Sequence, residues 1–464
     1  MNITSFLEEW LGPGFVANAY INLDTLYNAV RVYYVIIPMI FLTALAQLIS
    51  QLLVDHVGVS KYVRYMTEFV VIVIPILFLT LKFHEQAGYV TIVCSVILLV
   101  LLLKTLIMKP RRRVYVTGSR RPHAYALNRA IVYVIATLGL AAPRFLDLPT
   151  YFKETYSYGV GFLDVDVGLY IFAIATIKRT GVGKSPMTSA PRFFLPMLLL
   201  SFVRMVIILI NKDNDDNPIS LHENYYFLFS LVVMFGSIIC EHVKSPKMRI
   251  RTGLIILLCH EIILQTVSGE YLLSTTAWRF YFLTALKEVY LSIPGFMGLY
   301  LMSVGVGDKI RTRIKHLTGR MFIKRLVAIL EPCASFWAMT LICIFTTSIS
   351  RISCNTGYVA WIMAVGCTMT LMHMLVFSFI FNAIRYNEDN FSEEEINVVP
   401  EFVTIINKNG VLCYILGYLL AISINNFMAP KNRSENEAFC ILTVFMFIMA
   451  QFSYLINNVT IFDL

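Results

Sequence analysis

YVTIVCSVILLVLLLKTLIM, residues 89–108, decides the fold: it runs twenty residues with a single charge, Lys104. At about 1.5 Å of rise per residue a helix of that length spans roughly 30 Å, the thickness of a bilayer's hydrocarbon core. Inside that layer every backbone N–H and C=O must be paired within the protein, which leaves helices and closed barrels. Barrel strands would alternate apolar and polar residues over about ten positions. The run is continuously apolar, so it reads as a transmembrane helix.

Similar runs fill the chain. Working outward, the spans are Val32–Val54, Tyr65–Leu81, Tyr89–Met108, Ala124–Ala142, Gly161–Ile177, Phe193–Ile210, Tyr225–Cys240, Gly253–Val267, Val289–Val306, Leu326–Thr347, Tyr358–Ile384, Gly410–Phe427 and Ala438–Ile456. The expectation is an all-α polytopic membrane protein of about thirteen transmembrane helices, one membrane-embedded domain over residues 1–464. Composition agrees: 58% of the residues are hydrophobic and 14% charged, against about 25% charged in soluble domains. No room remains for a large soluble domain.

Charge sets the orientation. With the N-terminus lumenal and the C-terminus cytosolic, 25 of the 38 Lys and Arg residues fall in cytosolic loops and nine on the opposite face, the bias expected of a multispanning protein. The net charge of +9 therefore reports topology, and nucleic acid is excluded as a partner. Residues 1–31 form a lumenal segment, 143–160 a lumenal loop, and 385–409 an acidic cytosolic loop containing NEDNFSEEEINVVPE. The sequon at Asn432 falls on the lumenal side. Nine scattered cysteines form no CxxC pair or zinc spacing, so no metal is implied; most read as small core residues, and Cys354 and Cys440, near one membrane face, are a pair that could form a bridge.

Ionisable residues at membrane depth are costly and mark functional candidates. Arg144, Asp147, Lys153 and Glu154 precede the fifth span, with Asp164 and Asp166 inside it. The last two lie roughly 200° apart on a helix and cannot share a face. Acyl or phosphoryl chemistry needs a base plus a cation or donor for developing negative charge, and this loop holds both. Leu221-His222-Glu223-Asn224 forms a second group. Lys287-Glu288, leading into Ser292-Ile293-Pro294-Gly295, forms a third, where Pro and Gly should interrupt the span. His260-Glu261 lacks the second histidine of a zinc-protease motif, position 264 being Leu; His373 reads as a core residue.

SYGVGFLDVDVGLYIF, residues 157–172, resembles the glycosylphosphatidylinositol (GPI) inositol acyltransferase family, through Tyr158-Gly159, Asp164 and Gly168. Ser220-Leu221-His222-Glu223-Asn224 is similar to that family's His-aromatic-Asn segment, keeping His222 and Asn224. Lys287-Glu288 with Ser292 and Gly295 is similar to its Arg-Glu segment, and NGVLCYILGYLLAISINN, residues 409–426, to its Asn-Gly and later Asn pattern, which brings in Asn425.

The resemblance implies transfer of a long-chain acyl group from acyl-CoA, a co-substrate, to the inositol hydroxyl of glucosaminyl-phosphatidylinositol in the endoplasmic reticulum membrane. No bound cofactor is implied. The family's catalytic Asp and Lys bracket a lumenal loop; in the register anchored at Gly159 those positions hold Arg144 and Glu154, with the charges exchanged. Arginine stays protonated and cannot be a base. Glu154 or Asp147 is therefore expected as base, with Lys153 or Arg144 holding the oxyanion or a substrate phosphate. Asp164 is expected beside them, and His222, Asn224, Lys287, Glu288 and Asn425 are expected to bind substrate. Two rival readings stay open: an impaired family member whose swapped pair keeps only the loop's structure, and a proton-coupled transporter using Asp164, Asp166, His260 and Glu261 as a relay.

Overall fold

The computed structural model describes residues 23–107, 114–116, 122–145, 155, 158–178, 195, 197–203, 206, 225–268, 287–311, 316–381, 399–428, 430 and 433–457. It is a helical bundle: α1 (Tyr33–Val57), α2 (Lys61–Leu81), α3 (Ala87–Ile107), α4 (His123–Ala141), α5 (Val165–Ile177), α6 (Tyr225–His242), α7 (Pro246–Ile263), α8 (Lys287–Ile310), α9 (Gly319–Thr346), α10 (Thr356–His373), α11 (Glu401–Met428) and α12 (Glu435–Ile456). Nine described helices have the length and apolarity of a membrane span, where thirteen were expected. The difference lies in α5, α6 and α7, which are short or carry charges at one end, and in residues 193–210, of which only part is described.

Sequence-local signals set several boundaries. Ser60 caps α2 by accepting from Val63 N–H, and Asn355 caps α10 by accepting from Tyr358 N–H. Ser434 and Glu437 form a reciprocal capping box on α12. The start of α11 comes from a distant residue: the buried Glu68 carboxylate on α2 accepts from Phe402 N–H at 2.7 Å. Residues 401–409, read as the end of an acidic loop, accordingly belong to this helix.

α10 is the centre. Tyr358, Trp361, Ile362, Met363, Val365 and Cys367 are all fully buried, and α10 is packed by α3's neighbour α1 and by α4, α5, α7, α8 and α9. α3 lies at the rim and turns most of its apolar surface outward, as a lipid-facing helix should. α7 and α8 meet where Gly253 and Gly298 leave no room for side chains, so dispersion over closely approaching backbones holds the pair.

The described parts of the 109–121 and 309–325 loops meet at one end of the bundle. Strands β1 (Val114–Val116) and β2 (His316–Thr318) pair antiparallel, with Tyr115 opposite Leu317, and join the two most basic loops. At the same end Arg311 donates to the carbonyls of Thr176, Ile177 and Lys178 that close α5, and Arg249 pairs with Asp308. The expected break at Pro294-Gly295 is absent, since α8 runs unbroken through both. Gly295 instead marks a contact, because a Cβ there would come within 2.9 Å of Cys354 Sγ. The Cys354–Cys440 bridge is also absent: both thiols are free, Cys354 buried against α8 and Cys440 exposed on α12.

Candidate functional site

The site is built on two turns at the end opposite the basic loops. Gly161 leads into a single 3-10 turn, Phe162–Asp164, which opens α5. Asp164 therefore sits ahead of the helix, where its carboxylate can fold back on the preceding chain. One oxygen, Oδ2, accepts from Gly161 N–H at 2.7 Å and from Thr155 Oγ1 at 2.9 Å, while Thr155 N–H lies between the two oxygens, 3.2 Å from Oδ1 and 3.3 Å from Oδ2. Arg351 Nε lies 3.0 Å from the other oxygen, with the two side chains only 3% and 1% exposed. Tyr358 Oη donates to the Asp164 carbonyl at 2.7 Å.

Arg351 comes from TSISRISCN, residues 347–355, the turn joining α9 to α10. Two more segments are tied to that turn. Gly159 N–H donates to Ile349 carbonyl at 2.9 Å, from a backbone with φ +128° that favours glycine. His260 Nε2 donates to Ser353 carbonyl at 2.9 Å, and Glu261 accepts from Thr356 N–H at 2.8 Å. Asn355 closes the turn, accepting from Ser350 and Tyr358 N–H and donating to Ser348 carbonyl. Ser348 and Cys354 hold φ of 60° and 46°, strain sustained because so many partners fix the path.

The structure thus brings Asp164, His260 and Glu261 to one turn without joining them to one another. Each is bonded to backbone, or in the case of Asp164 also to Arg351 and Thr155. A chain of proton carriers would need them in contact or linked. Asp166 takes a different direction, as expected: partly exposed, its Oδ2 lies against Gly139 of α4, close to the 3-10 turn Ala142–Arg144. The carboxylate of Asp164 thus holds Thr155, the residue that follows Lys153-Glu154, and Asp166 faces the helix that leads to Arg144.

Asp147, Lys153, Glu154, His222, Asn224 and Asn432 lie outside the described residues. Arg144 ends its 3-10 turn, and Lys287 and Glu288 open α8. Asn425 sits in the last turns of α11, partly exposed. His373 is fully buried, with Nδ1 2.8 Å from Met369 carbonyl. Arg351 and Thr155 are the partners that sequence reasoning missed. A signal existed for Arg351: a lone cation flanked by Ser and Ile between two apolar spans needs a counter-charge if it is buried.

Comparison with known proteins gives the family. The GWT1 family matches residues 24–456. A Schizosaccharomyces pombe protein named GPI-anchored wall transfer protein 1 is 22% identical over 349 residues, covering 73% of each chain. A Yarrowia lipolytica protein of the same name is 24% identical, covering 67% of this chain and 68% of its own. An uncharacterised Arabidopsis thaliana protein is 24% identical, covering 69% and 70%. With the match extending from the first described helix to the last, the resemblance read at residues 157–172 holds along nearly the whole sequence, and the chain belongs to the GWT1 family.

Proposed function

We propose that this protein is an O-acyltransferase of the endoplasmic reticulum membrane. It moves a long-chain fatty acyl group from acyl-CoA to the inositol hydroxyl of glucosaminyl-phosphatidylinositol. Membership of the GWT1 family supports a role in GPI-anchor biosynthesis. The observation that carries the acyl-transfer reading is the buried Asp164–Arg351 pair, which fixes Thr155 and so the exit of the Lys153-Glu154 loop. In this reading the basic end is cytosolic, the turn at 347–355 is lumenal, and the chain crosses the bilayer thirteen times.

The inositol oxygen attacks the thioester carbonyl carbon while its proton passes to Glu154 or Asp147. The tetrahedral oxyanion is met by Lys153 or Arg144. Collapse breaks the C–S bond; the leaving thiolate takes up a proton, and an ester and free CoA result. Asp164 is then a positioning residue, since its oxygens are already occupied by Thr155, Gly161 and Arg351. His222, Asn224, Lys287, Glu288 and Asn425 are assigned to the lipid substrate. Cytosolic basic residues within 309–325 are assigned to the CoA phosphates.

Alanine variants of Arg144, Asp147, Lys153 and Glu154, assayed for acyl transfer to glucosaminyl-phosphatidylinositol in membranes, test the assignment. Turnover should fall at least a hundredfold in the variant that loses the base; unchanged turnover in all four removes the loop as the active site. Cells lacking the protein should accumulate non-acylated glucosaminyl-phosphatidylinositol, whereas a transporter would leave the acylation pattern untouched.

A further inference from the structure

Arg129 lies on α4 six residues after His123, about 9 Å into the bundle from its basic end at 1.5 Å per residue. It is 5% exposed. A buried arginine is normally matched by a carboxylate, and among the described residues Arg129 makes no ion pair. Its side-chain contacts are aromatic: Nε donates to Tyr133 Oη at 3.0 Å, and the guanidinium carbon lies 5.3 Å from the Tyr133 ring centre.

The Tyr133 ring is held rigidly. Gly410 of α11 leaves the space that the ring fills, and Tyr170 of α5 meets it edge-on with centroids 5.5 Å apart. The Tyr170 hydroxyl is buried and has no hydrogen-bond partner. Tyr414 of α11 lies beyond Tyr170, its ring tilted by 37° with centroids 5.2 Å apart. A guanidinium without a carboxylate and a buried phenol without a hydrogen-bond partner therefore flank one fixed ring inside the bundle. Both can donate to one anionic acceptor.

We propose that Arg129, with Tyr133 and Tyr170, forms an anion subsite that takes the phosphate of a phosphate ester within the helix bundle. A guanidinium held by its Nε still presents its terminal N–H groups, the edge that binds two phosphate oxygens at once. The phenol supplies a further, directional donor. The choice of phosphate rests on the acyl-transfer reading, in which acyl-CoA and the inositol phospholipid both carry one. The depth and the basic entrance suit either source.

The test is ligand binding by the purified full-length protein in detergent, followed by thermal stabilisation against palmitoyl-CoA, phosphatidylinositol and, as a carboxylate control, palmitate. Arg129→Gln should weaken one phosphate ligand roughly 10- to 100-fold, the span of a lost charged hydrogen-bonding partner. The ligand affected identifies the source. Arg129→Lys, which keeps the charge but loses the fork, and Tyr133→Phe, which frees the guanidinium from its anchor, should each weaken the same ligand by about threefold to tenfold. These two decide the matter if Arg129→Gln does not fold. Unchanged affinity for both phosphate ligands, or an effect on palmitate alone, overturns the proposal. Arg129-dependent phosphate binding in protein that forms no acylated lipid would leave the subsite standing and defeat the acyl-transfer reading. Acylation with Arg129-independent binding would do the reverse.

Discussion

Replacing Asp164 by Ala strips the carboxylate from Arg351, a guanidinium only 3% exposed, and from the donors on Thr155 and Gly161. Breaking a buried ion pair by deleting one partner costs about 3–5 kcal/mol, or roughly two to three and a half decades in the folding equilibrium. Three neutral donors also lose an acceptor, so the upper part of that range is expected. Arg351→Met should cost less, because the methionine fills the space and the carboxylate keeps Thr155 and Gly161 as donors. The Asp164→Ala/Arg351→Met double variant should recover about 2 kcal/mol relative to the sum of the singles, the signature of direct coupling. Unfolding of the purified protein in mixed micelles measures all four corners of the cycle. Hydrogen exchange at residues 158–161 should rise in each variant. Additive singles, or an Asp164→Ala cost below about 1 kcal/mol, would refute the reading of this pair as the anchor of the loop.

Other substitutions probe separate contacts. Gly295→Ala would drive a methyl group into Cys354 and should destabilise by about 1–3 kcal/mol, the usual penalty of overpacking; thermal melts check it. Asn355→Ala removes the cap of α10 and the acceptor for Ser350 N–H, for an expected loss of about 1–2 kcal/mol in the same assay. Lys178, at the end of α5, is pushed down to about 8 by burial, with Arg249 adding to the effect. The folded protein then releases this proton before the unfolded chain does, so stability should climb between pH 8 and ~10.4. Lys178→Met should flatten that climb; an unaltered pH profile would show that the ammonium is hydrated.

The apolar runs were legible because hydrophobic length is a local property: α1 to α4 and α8 to α12 each overlap a segment read from sequence, with ends that differ by as much as a few turns, as at α9, α10 and α11. What failed was non-local. Glu401 to Asn409 read as loop from polarity alone, and it became helix because Glu68, more than three hundred residues earlier, caps Phe402. Pro294-Gly295 read as a break, yet the glycine exists for the backbone of the 347–355 turn to approach. Asp164 was singled out as a charge inside the fifth span and is buried, but its partner Arg351 was counted only toward topology. No spacing rule links positions so far apart. The loop that carries Asp147, Lys153 and Glu154 belongs to the same class of problem, since its assignment came from resemblance and its geometry lies outside the described residues.

The position of α10 carries a consequence for how the molecule is made. Its residues emerge late, after helices α1 to α9, yet they end up surrounded by helices synthesised before them. Until Thr356–His373 has been made, the groups that α10 partners, among them the Asn128 amide and the Asp164 carbonyl, lack those partners. Once it has, Asn128 can bond to Thr370, and Tyr358 to Asp164. A ribosome stalled before residue 356 would leave these polar groups without those partners, which is a state that quality control can recognise.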